Sequence, residues 1–356
     1  MTRSSTDKRP RPLRELGIVV GDLPTGPHNT IADVDGVLVG HATLVDGAIQ
    51  TGVTAVLPHG GDLFREKVPA AAYVLNGFGK SVGLMQIDEL GTVETPILLC
   101  NTFAVGACAT ALIRRAVAAD PAIGREAGTV NPAVFECNDG HLNDLHAFAV
   151  GAAEVDAAIA AASAEFAQGA VGAGRGMSAF GHKGGIGSAS RMVELDRRGF
   201  TVGALVLANF GRASDLTVAS VPVGRHLSGR AGQVDRGSII MVLATDVPLE
   251  HRQLRRVAKR AGVGLARTGS FLGNGSGDVA VAFSTAERVR HDEQRDLVPS
   301  ARLNEGRIDR LFRAAAECVE EAILNALCCA GTVVGRDGHR RLGLFEDPAV
   351  RGLLDR

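Results

Sequence analysis

The chain has 356 residues, of which 46% are hydrophobic and 45 are glycines, so it has enough apolar material for a large core and many tight turns. Its formal net charge is −1, and it contains no tryptophan and one tyrosine. This composition excludes a basic nucleic-acid-binding surface lined with stacking aromatic side chains. No apolar run approaches the ~18 residues of a membrane span, and residues 1–15 lack a hydrophobic signal segment. We therefore expect a cytoplasmic protein with neither nucleic acid nor membrane as partner.

The six cysteines form no CxxC pair, and no histidines accompany them at zinc-ligand spacing. Cysteine outside such patterns commonly behaves as a small apolar core residue. We therefore expect buried thiols, with no disulfide framework, no metal site and no organic cofactor.

The first half of the chain predicts strands followed by helices. Short β-rich runs at 36–39 and 52–57 lead into the turn cluster PHGG at 58–61. Alanine-rich segments at 102–119 and 143–168 repeat apolar residues at helical spacing, which predicts two helices that face a core.

The second half opens with a glycine-rich loop at 169–187 and continues with alternating buried strands and helices. The predicted strands are 201–208, Ser238–Thr245 and 278–284, and the predicted helices are 249–261 and 307–330. This alternation indicates a layered α/β protein. The length allows one domain or two, but no linker marks a boundary, so we expect a single domain over 1–356.

Two familiar nucleotide-binding motifs are incomplete. Gly79-Lys80-Ser81 resembles the end of a Walker A loop, but Val74 stands where that motif requires a glycine. The segment GAGRG at 172–176 lacks the third glycine of a dinucleotide fingerprint, because Met177 occupies that place. Neither ATP nor a dinucleotide is therefore expected.

The segment that carries chemistry is the flexible loop before the strand at 279–283, which contains Asn274-Gly275-Ser276-Gly277. A serine is a weak nucleophile and needs a nearby base, which an N-terminal serine obtains from its own α-amine. That amine titrates at ~7.7–8.0, so it accepts a proton near neutral pH. Cleavage between Gly275 and Ser276 would create this base. On the residues alone, an ordinary β-turn is the favoured interpretation of the segment.

Seven segments of the sequence, including this loop, together resemble the DmpA and β-aminopeptidase family over roughly residues 25–345. They are IADVDGV at 31–37, TGVTAVLPHGG at 51–61, NGFGK at 76–80, ELGTVETP at 89–96, VPVGR at 221–225, RTGS at 267–270 and NGSGD at 274–278. The resemblance implies an αββα sandwich like that of N-terminal-nucleophile hydrolases, but with different connectivity. It also implies self-cleavage into an α chain, 1–275, and a β chain, 276–356, and a tetramer of αβ units.

The resemblance assigns further site residues by position. Asn209 matches the oxyanion donor, and Glu136 matches the acid that pairs with the free amino group of the substrate. Without the resemblance, Asn209 reads as a turn cap and Glu136 as a solvated loop residue. In some members an aromatic hydroxyl assists at the oxyanion, but the nearest residues here are Asn138 and His141.

On the last predicted helix, Cys318 and Glu320 align with the serine and glutamate that lie beside the nucleophile and orient its amine. A thiol at 318 is a weaker donor than a hydroxyl, so Cys318 reads equally well as a core residue. Glu320 could also lie on a solvated helix face. His59, His182 and Lys183 lie among loop glycines, and we assign them no role.

Three functional hypotheses follow. The first is a self-processing aminopeptidase for small amides, esters or short peptides, with β- or D-residues at the amino end among the candidate substrates, acting through an acyl-enzyme on Ser276. The second is an amidohydrolase for pantetheine- or polyamide-type bonds, although its relatives use threonine. The third is a non-catalytic member of the fold. Should Ser276 not be the nucleophile, Ser270 is the next candidate.

Overall fold

The computed structural model describes residues 9–227 and 237–354, which form two β-sheets between two helical layers. The longer strands are β1 (Leu38–Asp46), β2 (Ile49–Leu57), β3 (Glu66–Gly77), β5 (Ile97–Asn101), β6 (Ala133–Cys137), β9 (Gly185–Leu195), β10 (Arg198–Asn209), β11 (Ser238–Thr245) and β12 (Gly277–Ser284). The two-residue strands are β4 (Thr92–Val93), β7 (Ser178–Ala179), β8 (His182–Lys183), β13 (Val289–Arg290), β14 (Val333–Val334) and β15 (Arg340–Arg341). The helices are α1 (Leu84–Leu90), α2 (Val105–Ala119), α3 (Ala152–Ala160), α4 (His251–Arg267), α5 (Asp309–Cys328) and α6 (Pro348–Leu354).

The smaller sheet has four strands in the order β1-β2-β5-β6, with β5 and β6 parallel. The larger sheet has the order β13-β3-β12-β11-β10-β9, and β4 pairs with β3. Within it β11 and β12 are parallel, and α4 makes the crossover between them. A parallel pair requires such a crossover, and the crossover leads the chain back to the same end of the sheet.

Three apolar layers hold the sandwich together. The inter-sheet layer includes Leu99 and Phe135 from the small sheet and Leu207 and Val281 from the large sheet. A second layer lies between the large sheet and helices α4 and α5, and a third lies between the small sheet and helices α2 and α3. The layers therefore run helix, sheet, sheet, helix, and the predicted αββα sandwich is confirmed.

The predicted helices are confirmed at 102–119 and 307–330, but the helix predicted over 143–168 is shorter. Only Ala152–Ala160 is α-helical. Asn143 instead accepts a hydrogen bond from the Gln50 amide, and Asp144 caps a 3-10 turn. Short polar side chains that bond to backbone groups compete with helix formation, so this segment folds as a loop.

Helix α4 runs past its predicted end at 261, through two glycines, to Arg267. Gly264 faces the Ala316 carbonyl and the Glu320 amide of α5, where an added Cβ would lie only 2.5 and 2.8 Å from them. The close approach of α4 and α5 therefore explains the glycine at 264. The residue pattern of α4 alone does not indicate this approach. Strands β3, β5, β6 and β9 are also not predicted from the sequence.

Candidate active site

Ser276 lies immediately before β12 and is buried, with 1% of its surface exposed. The Ser276 amide donates a hydrogen bond of 2.9 Å to the Gly273 carbonyl. The Ser276 hydroxyl donates to Oδ1 of Asp278 at 2.5 Å. Asn76 closes the loop from the neighbouring strand, because its Nδ2 donates to the same Gly273 carbonyl at 2.6 Å.

A row of paired residues crosses the large sheet at this end. Gly77, Gly277, Ser238 and Asn209 are successive partners on β3, β12, β11 and β10. The Gly277 amide donates to the Ser238 hydroxyl at 3.2 Å. A side chain at Gly277 would overlap the Phe78 carbonyl, so only glycine fits next to the serine. Two strand spacings of ~4.8 Å place Asn209 about 10 Å from Gly277.

Asn209 is held at the end of β10 by both halves of its side-chain amide. Its Oδ1 accepts from the Ser178 amide at 2.8 Å, and its Nδ2 donates to the Asn138 carbonyl at 2.9 Å. Since an amide nitrogen carries two hydrogens, one donor remains for a second acceptor. This geometry orients a donor at the same sheet end as Ser276, which suits the predicted oxyanion role.

Glu136 is on β6 of the small sheet and is 3% exposed. The turn after β3 connects Glu136 with the serine. The Phe78 amide of this turn donates to the Ser276 carbonyl at 3.3 Å, and the Lys80 amide donates to Glu136 Oε1 at 3.0 Å. The turn therefore links the two sheets and brings the Glu136 carboxylate towards the serine. A buried carboxylate in this place can pair with a substrate ammonium group.

Cys318 is fully buried on α5, and its thiol donates to the Val202 carbonyl at 3.2 Å. Val202 and Asn209 are seven residues apart on β10, which corresponds to about 23 Å along the strand. Burial also raises the pKa of the Cys318 thiol, so the thiol stays neutral. The structure therefore does not bring Cys318 to Ser276. The interpretation of Cys318 as a core residue fits its surroundings.

Glu320 is 6% exposed and accepts from Arg267 Nη1 at 3.2 Å. Burial raises the pKa of this carboxyl, and the bond from Arg267 opposes that shift. Arg267 is the last residue of α4, at the start of the loop that leads to Ser276. Glu320 thus contacts the base of that loop, not the serine hydroxyl.

The loop after β6 contains Asn138 and His141, which are nearest to the position where some members of the family have an aromatic hydroxyl. Asn138 meets Asn209 through its backbone carbonyl, and its Oδ1 accepts from the Gly140 amide. His141 stacks on His339 at 4.7 Å between ring centroids. Burial lowers the pKa of His141 to about 4, and nearby Arg341 adds to the shift. A neutral imidazole is therefore present at neutral pH.

The three loop residues without an assigned role are bonded within the fold. His59 bonds through Nε2 to the Glu66 carbonyl at 2.8 Å, and His182 bonds to Asp347 at 3.0 Å. Lys183 is fully buried, and its ammonium donates to three backbone carbonyls at 2.7 to 2.8 Å. These contacts explain the three residues as supports of the loops that surround them.

Asp278, Ser238 and Asn76 are site residues that the sequence analysis does not single out. Asp278 is visible as the last residue of the segment NGSGD, and its position two residues after Ser276 predicts that both side chains leave a strand on the same face. Asn76 is the first residue of the segment NGFGK, but that segment does not indicate its contact with the loop, and Ser238 has no local signal. Their contacts with the loop exist only because β11 and β3 flank β12 in the sheet.

Within the described ranges, no group of three or more His, Cys, Asp or Glu side chains is arranged to hold a metal ion. No helix there has the length and apolar character needed to cross a membrane. All six cysteines are free thiols, and five of them are buried.

The fold and this site define a class of protein: an αββα sandwich with a serine at the mouth of a central strand is the arrangement of N-terminal-nucleophile hydrolases. Residues 29–341 match the model of peptidase family S58. The chain belongs to that family, and it is a serine aminopeptidase of the N-terminal-nucleophile type.

Two aminopeptidases and one further solved structure are similar to this chain over nearly its whole length. The beta-peptidyl aminopeptidase BapA of Sphingosinicella microcystinivorans is 38% identical, over 92% of this chain and 87% of its own. The crystal structure of the PH0078 protein from Pyrococcus horikoshii OT3 is 51% identical with a TM-score of 0.92, covering 97% and 98% of the two chains. The l-aminopeptidase d-ala-esterase/amidase from Ochrobactrum anthropi, a prototype serine aminopeptidase with a variant of the ntn hydrolase fold, is 36% identical with a TM-score of 0.90 and 98% coverage of both chains. Nothing in these comparisons favours another class of amidohydrolase.

Proposed function

We propose that the chain cleaves its own Gly275–Ser276 bond and then uses Ser276 as the nucleophile of an aminopeptidase. The substrates are amides, esters or short peptides with a free amino terminus. The observation that carries the proposal is the position of Ser276: it is buried at the mouth of β12, next to the row of paired residues that ends at Asn209 and beside a turn that leads to Glu136.

Catalysis by the cleaved protein follows from these positions. The α-amine of Ser276 takes the hydroxyl proton while Oγ attacks the substrate carbonyl, and Asn209 donates to the oxyanion that develops. Collapse of this intermediate expels the amine or alcohol and leaves an acyl group on Ser276. Water then hydrolyses the ester and restores the serine.

Glu136 supplies the preference for a free amino terminus. A substrate ammonium group beside this buried carboxylate forms a charge-assisted hydrogen bond, and an acylated nitrogen forms none. The names of the relatives add β-peptides and D-alanine esters and amides as candidate substrates. We therefore propose that β- or D-residues are tolerated at the amino end.

The remaining parts of the proposal concern the state of the protein. We propose a cytoplasmic tetramer of αβ units that works without a metal or organic cofactor. Light scattering coupled to gel filtration tests the assembly, since a tetramer has four times the mass of one αβ unit. A mass of a single αβ unit would contradict it.

The test of the activity is a panel of α-, β- and D-aminoacyl amides, each with a free and an acetylated amino group, assayed with cleaved protein. We expect hydrolysis of the free series and little hydrolysis of the acetylated series. A protein that is cleaved but hydrolyses only pantetheine- or polyamide-type bonds would contradict the substrate class. A protein that is neither cleaved nor active would support a non-catalytic member of the fold.

A further inference from the structure

The self-cleavage proposed above needs a base that the finished enzyme does not need. Before the cut, the nitrogen of Ser276 is a peptide amide that donates to the Gly273 carbonyl at 2.9 Å. A peptide nitrogen is not basic, so it cannot take the hydroxyl proton in the way that a free α-amine can. Another group must accept the proton in this first reaction.

Asp278 is placed to do so. Its Oδ1 accepts from the Ser276 hydroxyl at 2.5 Å, and each residue is 1% exposed. A short O–H···O⁻ contact in a buried setting is a strong, charge-assisted hydrogen bond. The distance meets the geometric requirement for a general base, which must contact the proton that it removes.

The backbone supports this contact in two ways. Residues i and i+2 of a strand share a face, so Asp278 follows Ser276 on the same side of β12. A register shift then occurs directly after Asp278, because Asp278 pairs with Asn76 whereas Val279 pairs with Val74. The extra residue is Leu75 of β3, so the bulge lies next to Asn76, whose side chain closes the loop before Ser276, and β12 keeps an unbroken register with β11.

The two sides of the sheet separate the two reactions. Asp278 lies on the same face of its strand as Ala280 and Ala282, which pack against helices α4 and α5. Asn209 lies on the same face of its strand as Leu207, which packs against the other sheet. In the continuous chain the serine hydroxyl is therefore bonded on the side away from Asn209.

We propose that Asp278 is the general base of self-cleavage, an inference that rests on the proposed function. As Ser276 Oγ attacks the Gly275 carbonyl carbon, its proton moves to the Asp278 carboxylate. The Gly275–Ser276 C–N bond then breaks, and Asp278 returns the proton to the serine nitrogen. The resulting ester joins Gly275 to Ser276 Oγ. Water hydrolyses it to a Gly275 carboxylate and a serine that carries both its hydroxyl and a free amine.

A purely structural role would be that Asp278 only fixes the side-chain conformation of Ser276. Replacing the nucleophile distinguishes the two roles. A thiol at position 276 ionises with a pKa near ~8.5 and needs far less help from a base than a hydroxyl does. The loss of Asp278 should therefore slow a serine precursor strongly and a cysteine precursor weakly.

The experiment measures how fast purified precursors are converted to two fragments on denaturing gels. We expect Asp278→Asn to slow conversion by about 100-fold or more in the serine background, as is typical of losing a general base. In the Ser276→Cys background the same change should slow conversion less than about tenfold. Asp278→Glu, which keeps a carboxylate, should recover part of the rate. Ser284→Ala is the matched control, because Ser284 lies at the opposite end of β12 and its hydroxyl donates to the Val247 carbonyl.

The outcomes separate this inference from the function on which it rests. If Asp278→Asn is cleaved as fast as wild type, or slows both nucleophiles equally, Asp278 is not the base, although the aminopeptidase remains. If Asp278→Asn fails to fold, by its circular dichroism, then Asp278→Glu decides: a Glu variant that folds but stays uncut overturns the inference. If wild type itself stays uncut, the proposed function fails.

Discussion

At the scale of single residues, the site depends on groups that already have a hydrogen-bond partner in the uncut chain. Ser276 donates to Asp278, Asn209 donates to the Asn138 carbonyl, and Glu136 accepts from the Lys80 amide. The contacts of Asn209 and Glu136 fix the orientation of these two side chains before substrate arrives, whereas the Ser276 hydroxyl has to leave Asp278 after the cut to work with Asn209. Pre-organised groups of this kind need little rearrangement in the transition state.

Asn209 provides the first prediction. Asn209→Asp keeps the oxygen that accepts from Ser178 but removes the amide hydrogens, so the oxyanion and the Asn138 carbonyl both lose their donor. We expect kcat on an aminoacyl amide to fall by about 10²–10³, the usual effect of removing one oxyanion donor. The measurement uses fully cleaved protein, and Ser178→Ala is the control because its backbone amide persists. An unchanged kcat would place the oxyanion elsewhere.

Glu136 provides the second prediction. Glu136→Gln keeps an oxygen for the Lys80 amide and removes the charge. A hydrogen bond to a charged group contributes about 1.5–3 kcal/mol, so kcat/KM for free-amino substrates should fall about 10- to 100-fold. The comparison is made with an ester that lacks an amino group, whose hydrolysis should hardly change. An equal loss on both substrates would show that Glu136 does not recognise the amine.

Asp139 provides a prediction on pH. It is fully buried, and burial raises the pKa of its carboxyl to about 7, with hydrogen bonds from Thr51 and Asn143 opposing the shift. Between the unfolded value of ~3.9 and this one, the folded chain holds a proton that the unfolded chain has lost. This contribution to stability is therefore complete at low pH and is lost as the pH rises towards 7.

Asp139→Asn removes this dependence but keeps an acceptor for Asn143. The Tm of the variant should rise relative to wild type between about pH 4 and pH 7, the interval between the unfolded and folded pKa values. Differential scanning calorimetry at several pH values measures the difference, with the exposed Asp46→Asn as the surface control. A Tm difference that stays constant over this range would show that Asp139 does not titrate there.

At the scale of elements, α5 is a helix that stabilises the core. Arg191 of β9 is fully buried and bonds both Glu317 and Glu321, while Cys318 bonds the Val202 carbonyl of β10. Ion pairs so deeply buried are costly to disrupt singly, because the remaining charge has no compensation. This face of α5 therefore anchors the helix to the sheet.

Cys318 tests that interpretation. Cys318→Ser keeps a donor of similar size for the Val202 carbonyl, and Cys318→Ala deletes it. We expect both variants to cleave themselves and hydrolyse substrate within about twofold of wild type. The alanine variant should lose about 1 kcal/mol in the free energy of unfolding, as is usual for a small buried truncation. A large loss of activity at unchanged stability, restored by serine, would instead place Cys318 in the catalytic machinery.

The elements also show how far the sequence predicts the structure. Helices with a clear apolar period, such as α2 and α5, follow directly from spacing. The loop at 143–151 departs from its predicted helix because Asn143 Oδ1 accepts from the Gln50 amide and the Asp144 amide donates to the Ala48 carbonyl, both far away in the sequence. Such tertiary bonds leave no periodic mark in the sequence.

At the scale of the whole molecule, the resemblance predicts the αββα architecture, and residue patterns predict only a layered α/β protein. The site residues likewise include some that the sequence indicates and some that it does not. Asp278 could have been found from its two-residue spacing to Ser276, but Ser238 could not, because its contact depends on the parallel pairing of β11 and β12. The separation of Cys318 from Ser276 likewise depends on where α5 crosses the sheet.

The central claim is that Ser276 becomes an N-terminal nucleophile by cleavage of its own chain. Intact-mass spectrometry of the purified protein, combined with assay of an aminoacyl amide, tests it most directly. We predict two chains, 1–275 and 276–356, in the active wild type, and one uncut, inactive chain in Ser276→Ala. An uncut wild-type chain that hydrolyses the substrate, or an active Ser276→Ala variant, would contradict the claim.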